Sequence, residues 1–218
     1  QPLGVVRSQV YPTAELINEL QGRAKVPLLV GADFERGTAM RLEEGTALPY
    51  PMAVAATGRT EDAYMTGKIT ALEARAAGVQ WVFAPVADVN SNPDNPIINT
   101  RSFGEDPQRV SELVAAFVRG VEENGALSTT KHFPGHGDTS TDSHVAMPTI
   151  TGDRARLERV ELAPFRAAIA AGTSTIMTGH LAVPARQKTV QPVGGRRAQQ
   201  NSHAPELKSL RAREQNHH

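Results

Sequence analysis

Cysteine is absent from the 218-residue sequence, which excludes disulfides, thiol nucleophiles and thiolate metal sites and leaves the redox compartment open. No stretch approaches the roughly 18 consecutive apolar residues of a membrane-spanning helix. Neither sign of charge is in excess: 23 Lys and Arg stand against 23 Asp and Glu, so no broad attraction to nucleic acid is expected. No basic-then-apolar leader follows Gln1, so no targeting signal can be read, and the missing initiator Met points to a processed or internal start. What is present suffices for a core. Hydrophobic residues make up 39% and charged residues 21%, and the length suits one ordinary domain or part of a larger one.

The charge is unevenly placed. Residues 185–218 hold seven Lys/Arg against Glu206 and Glu214, together with Gly194-Gly195, Gln199-Gln200 and only scattered Val and Leu. Such a composition buries too little apolar surface to offset the entropy of ordering. Two units are therefore expected: residues 1–184 as the folded part, and residues 185–218 as a basic tail that is disordered or read out of frame.

The folded part alternates short apolar runs with amphipathic stretches. Strands are expected at Pro27–Ala32, Trp81–Val86, Leu127–Lys131 and Thr173–Thr178, with Val5-Val6 ending an earlier one. Asp106-Pro107 opens a helix in which Val110, Leu113, Val114, Phe117, Val118 and Val121 share one face, and Gly125 ends it. A second helix runs from Thr60 to Gly78 with Met65, Ile69, Leu72 and Ala76 inward. A third spans Asp153–Ala171, split at Pro164, and a fourth spans Thr13–Ala24 with Leu16, Ile17 and Leu20 inward. This pattern predicts parallel strands covered by helices. No Gly-rich phosphate loop follows any strand, which counts against a nucleotide-binding open sheet. Polar residues fall instead where a (β/α)8 barrel keeps its site, after strand C-termini: Asp33 and Glu35, Asp88, Lys131 and His132, and His180.

One segment concentrates chemistry. From Lys131 to His144, fourteen residues carry a lysine, three histidines (His132, His136, His144) and two aspartates (Asp138, Asp142). A polar surface loop, a metal site and an acid–base loop are the three readings. His132 and His136 have the i,i+4 spacing of helical metal ligands, but Pro134-Gly135 between them breaks a helix, so no metal is expected. Asp142 and His144, two apart, are placed for a carboxylate to orient an imidazole and raise its basicity.

Lys131-His132-Phe133-Pro134-Gly135-His136-Gly137 with Asp142-Ser143-His144 resembles the signature of bacterial β-N-acetylglucosaminidases of glycoside hydrolase family 3. Asp33-Phe34-Glu35-Arg36-Gly37 through Arg41, Asn99-Thr100-Arg101-Ser102-Phe103-Gly104 and Ile176 through Pro184 resemble further segments of that family. The likeness runs from about Gly4 to Pro184. It implies an α/β fold, a (β/α)8 barrel truncated to about five strand–helix units, with a non-homologous C-terminal tail. It implies removal of terminal β-linked N-acetylglucosamine, from muropeptides or chitooligosaccharides, by a retaining mechanism that needs no cofactor. Asp33, Arg41, Arg101, Lys131 and His132 would hold the sugar. Asp142 and His144 would form the acid/base dyad, and His136 and His180 would be loop scaffolding.

The resemblance also implies a nucleophile, an aspartate on a later strand, on the face opposite the acid. Residues 185–218 contain no Asp, so this chain is expected to be inactive alone. A sugar-binding protein without catalysis and a β-glucosidase of the same family are the alternatives. Cytoplasmic and exported members both fit, so compartment stays open.

Overall fold

The computed structural model describes residues 8–139, 148–150 and 152–184. Val5-Val6, Asp142, His144 and the whole of 185–218 lie outside them. Among the described residues the chain runs α1 (Val10–Arg23), β1 (Gly31–Ala32), α2 (Pro51–Ala56), α3 (Thr60–Ala76), β2 (Trp81–Val82), α4 (Pro107–Glu122), β3 (Leu127–Phe133), α5 (Arg154–Arg159), α6 (Ala163–Ala170) and β4 (Thr175–Thr178). Four strands are thus described, where about five units were expected.

The four strands form one parallel sheet in the order β1-β2-β3-β4, so each strand lies beside its neighbour in sequence. Register climbs across it. Trp81 pairs with Leu127 at the start of β3, whereas β4 pairs further along, Thr129 with Thr175 and Lys131 with Met177. Helix α3 packs along α4 and α4 along α6, so successive crossovers lie side by side. A doubly wound sheet reverses its strand order and divides its helices between two faces, whereas a barrel keeps both in sequence. The arrangement is the barrel one, an α/β fold.

Helix punctuation follows the sequence signals. Asp106 accepts a hydrogen bond from Gln108 N–H (2.9 Å) at the start of α4, and Asp153 accepts one from Arg156 N–H (2.7 Å) at the start of α5. The stretch 153–171 divides as expected, with α5 ending at Arg159 and Pro164 in the first turn of α6. Helix α4 buries the predicted face, from Val110 to Val121.

Helices α3 and α1 do not. On α3 the buried residues are Ala63, Thr66, Gly67, Thr70, Ala71 and Ala74, while Met65 and Leu72 are 44% and 50% exposed. The reason is the closeness of the α3–α4 crossing. A β-carbon on Gly67 would collide with the carbonyl of Phe117, and one on Gly120 with the carbonyl of Tyr64. At that separation only small side chains fit between the helix axes, so the larger apolar residues turn outward. On α1 only Ile17 is buried, and Leu16 and Leu20 face out. The expected strands at 27–32 and 81–86 shorten to Gly31–Ala32 and Trp81–Val82, with Leu28 and Leu29 exposed, while the one expected at 127–131 extends to Phe133. Helix α2, opened by Pro51, was not expected at all.

Candidate active site

The C-terminal ends of the four strands and the loops after them enclose a cavity of about 670 Å³. Its lining brings together Asp33, Arg41, Arg101, Lys131 and His132, the residues the sequence singled out for sugar binding. Asp33 follows β1, Lys131 and His132 lie in β3, and Arg101 ends the short turn Asn99–Arg101 before α4.

At the floor, two carboxylates and two cations interlock. Lys131 Nζ lies 2.7 Å from both Asp33 Oδ1 and Glu35 Oε1, and its side chain is 3% exposed. Arg101 grips Glu35 with two parallel bonds, Nε to Oε2 at 2.9 Å and Nη2 to Oε1 at 2.8 Å. Burial alone would push the Glu35 carboxyl up, but the hydrogen bonds from Arg101 and Lys131 and their charges outweigh it and lower it to about 2. Arg101 is shifted up in turn: burial works against its charge, and Glu35 overcomes that. Arg41 stands further off, 3.7 Å from Asp33 Oδ2.

Beside this network stands a histidine–carboxylate pair. His132 Nδ1 lies 2.7 Å from Asp88 Oδ2, and Asp88 is wholly buried. Asp88 also accepts the backbone N–H groups of His132 (3.2 Å) and His136 (2.7 Å) through Oδ1. A carboxylate on Nδ1 holds the proton there and leaves Nε2 directed elsewhere. That Nε2 lies 3.5 Å from Arg101 Nη2.

The segment after β3 is locked against the β2 loop. Gly137 lies so close to the carbonyl of Val89 that a β-carbon there would collide with it, and Asn92 N–H donates to Gly137 O at 3.2 Å. His136 is buried, with Nδ1 2.7 Å from Thr139 Oγ1, and burial lowers its pKa below the ordinary histidine value. Its carbonyl accepts from Asn95 Nδ2 at 2.8 Å, which suits a scaffolding role. His180 lines the cavity mouth. Asp138 turns away from the cavity into an ion pair with Arg156 (3.2 Å), which also approaches Glu161 (3.4 Å). Asp142 and His144 lie outside the described residues.

Two members of the arrangement, Glu35 and Asp88, were expected at strand C-termini but were given no role in holding the sugar. Glu35 is the centre of the floor network, and Asp88 is the partner of His132. The signal for Glu35 was available, since residues two apart on extended chain share a side, and Asp33 and Glu35 meet the same ammonium. Nothing local marks Asp88 as the partner of a histidine 44 positions away. Among the described residues no group of three or more His, Cys, Asp and Glu side chains is placed to hold a metal.

Sequential parallel strands and a charged cavity at their C-terminal ends place the molecule among the (β/α)8-type proteins, with the site where that class carries it. Residues 8–204 match the glycosyl hydrolase family 3 N-terminal domain, and the chain belongs to that family. The chain is 37% identical to a β-N-acetylglucosaminidase/β-glucosidase of Cellulomonas fimi over 82% of its own length and 32% of the relative's. It is 41% identical to β-hexosaminidase A of Pseudoalteromonas piscicida, over 76% of this chain and 29% of that one. The structure of a family 3 β-N-acetylglucosaminidase from Paenibacillus sp. str. FPU-7 superposes with a TM-score of 0.79 at 46% identity, covering 82% of this chain and 35% of that one. The chain thus spans about a third of the length of these proteins.

Proposed function

We propose that the protein of which these residues form the family 3 domain removes terminal β-linked N-acetylglucosamine from carbohydrate chains, muropeptides or chitooligosaccharides, with retention at the anomeric carbon. One observation supports this above others: Asp33, Arg41, Arg101, Lys131 and His132 converge on one cavity from three separate stretches of chain. Asp33 accepts from sugar hydroxyls, while Lys131, Arg101 and Arg41 donate to hydroxyls and to the N-acetyl carbonyl. His132, oriented by Asp88, offers Nε2 to a further hydroxyl. Ion pairing fixes these groups before substrate arrives, so little reorganisation is needed on binding.

Asp142 and His144 form the acid/base dyad in this reading. His144 protonates the leaving oxygen and then activates water, with Asp142 orienting its ring. The nucleophile is a carboxylate beyond this set. Asp33 and Glu35 are both engaged by Lys131, and Asp138 by Arg156, so none is free to attack an anomeric carbon. The 218 residues alone are accordingly proposed to bind sugar without turning it over. The division at Pro184 is likewise a proposal, supported by the change of composition there, although the family match continues to residue 204.

A β-glucosidase is the second reading, favoured by the double name of the Cellulomonas fimi relative. Turnover of aryl β-N-acetylglucosaminide and aryl β-glucoside by the full-length protein separates the two. His144→Ala in that protein should slow hydrolysis of poor leaving groups by roughly 10²–10⁴-fold, and of activated aryl glycosides much less. An unchanged rate for poor leaving groups would remove the dyad. The pair of His132 with the buried Asp88 would then be the next acid/base candidate.

A further inference from the structure

The cavity lining carries four cations, Arg36, Arg41, Arg101 and Lys131, against two carboxylates, Asp33 and Glu35. Both carboxylates are engaged at the floor by Lys131, Arg101 and Arg41. Arg36 is left over. Among the described residues no carboxylate lies within ion-pair distance of it, and its guanidinium rests over the ring of Tyr50, 4.7 Å from the centroid. Tyr50 is 44% exposed, whereas the Glu35 side chain is 8% exposed, so Arg36 and Tyr50 form the outer end of the cavity. A guanidinium held by one face over an aromatic ring keeps its N–H edges free for a planar acceptor.

Resting on the sugar-binding reading above, we infer that Arg36 seated on Tyr50 is a subsite for a carboxylate carried by the group attached to the sugar's anomeric carbon. A sugar held by the floor network fills the inner end, and what remains in reach of Arg36 is the leaving group. One guanidinium fork matches a carboxylate in geometry and in charge. A phosphate dianion would leave charge uncompensated, since the other cations already face Asp33 and Glu35. The subsite gives the protein a preference for acidic over neutral aglycones.

The test is calorimetric titration of the full chain with phenyl β-N-acetylglucosaminide and with its 4-carboxyphenyl counterpart. The carboxylate ligand should bind roughly fivefold more tightly, the scale of a part-exposed ion pair, and added salt should narrow the gap. Arg36→Met should abolish the gap and leave the phenyl ligand's affinity as it was, while Arg36→Lys should keep part of it. Circular dichroism on each variant separates lost contacts from lost folding. Equal affinity of the folded chain for the two ligands, or a gap that survives Arg36→Met, overturns the inference while the sugar pocket stands. Competition by inorganic phosphate that weakens only the carboxyphenyl ligand, at concentrations below that ligand's own Kd, would assign the subsite to a free anion and overturn it too. Binding of neither ligand by the folded chain removes the sugar-binding reading and this inference together.

Discussion

Glu35→Gln isolates the charge at the centre of the floor network without changing its shape. The Glu35 carboxyl lies at about 2 against an ordinary 4.5. At about 1.4 kcal/mol per pKa unit, the difference corresponds to about 3 kcal/mol of folding stability. A depressed pKa stabilises above the unfolded value, so the contribution is complete above pH 4.5 and disappears as pH falls through about 2. The amide cannot carry it at any pH. Urea unfolding of the chain and of the variant should therefore differ by about 3 kcal/mol at pH 7, with less than half of that left at pH 3. The desolvated position of Glu35, with its side chain 8% exposed, keeps solvent screening from erasing the effect. A difference that is the same at pH 7 and pH 3 would refute the reasoning, because it would show a packing cost rather than the loss of an ion pair. A difference near zero at both would mean that Arg101 and Lys131 gain nothing from Glu35.

Three further outcomes follow from other parts of the molecule. Gly120→Ala should lower stability by about 1–3 kcal/mol in thermal or urea unfolding, because its methyl meets the Tyr64 carbonyl, a backbone atom that cannot swing aside. Leu72→Ala, on the outward face of α3, should change stability by no more than about 0.5 kcal/mol; a large loss there would restore the face predicted from periodicity. Asp88→Asn should weaken N-acetylglucosamine binding about tenfold, since a charge-assisted hydrogen bond orienting His132 becomes a neutral one. Unaltered affinity with unaltered folding would place His132 outside the sugar site.

The ends of β1 and β4 and the α4 face were legible in the sequence because they are local signals, whereas β2 stops at Val82 and β3 runs on to Phe133. An apolar run that stops before Asp33, or a period of 3.6 over Val110–Val121, needs no knowledge of the rest of the chain. The α3 face was misread because Gly67 and Gly120 lie on different helices, and only their meeting selects alanine and threonine over Met65 and Leu72. The same holds at the site. The motif residues were recognisable one by one, but Lys131 and Asp33 are 98 positions apart, and nothing in either segment says that one ammonium bridges Asp33 and Glu35. Asp88 and Arg36 acquire their roles only from what the fold sets beside them.

The central claim, that the floor network is a binding site for N-acetylglucosamine, is tested most directly by calorimetric titration of the chain and of Lys131→Met with N-acetylglucosamine and with glucose. Lys131 touches both carboxylates of the floor, so the variant removes the bridge between them and leaves the strand in place. The account predicts saturable heat with N-acetylglucosamine, weaker heat with glucose, and loss of both in a variant that circular dichroism shows to be folded. Full N-acetylglucosamine affinity in folded Lys131→Met, or no heat with the folded parent chain, would contradict it.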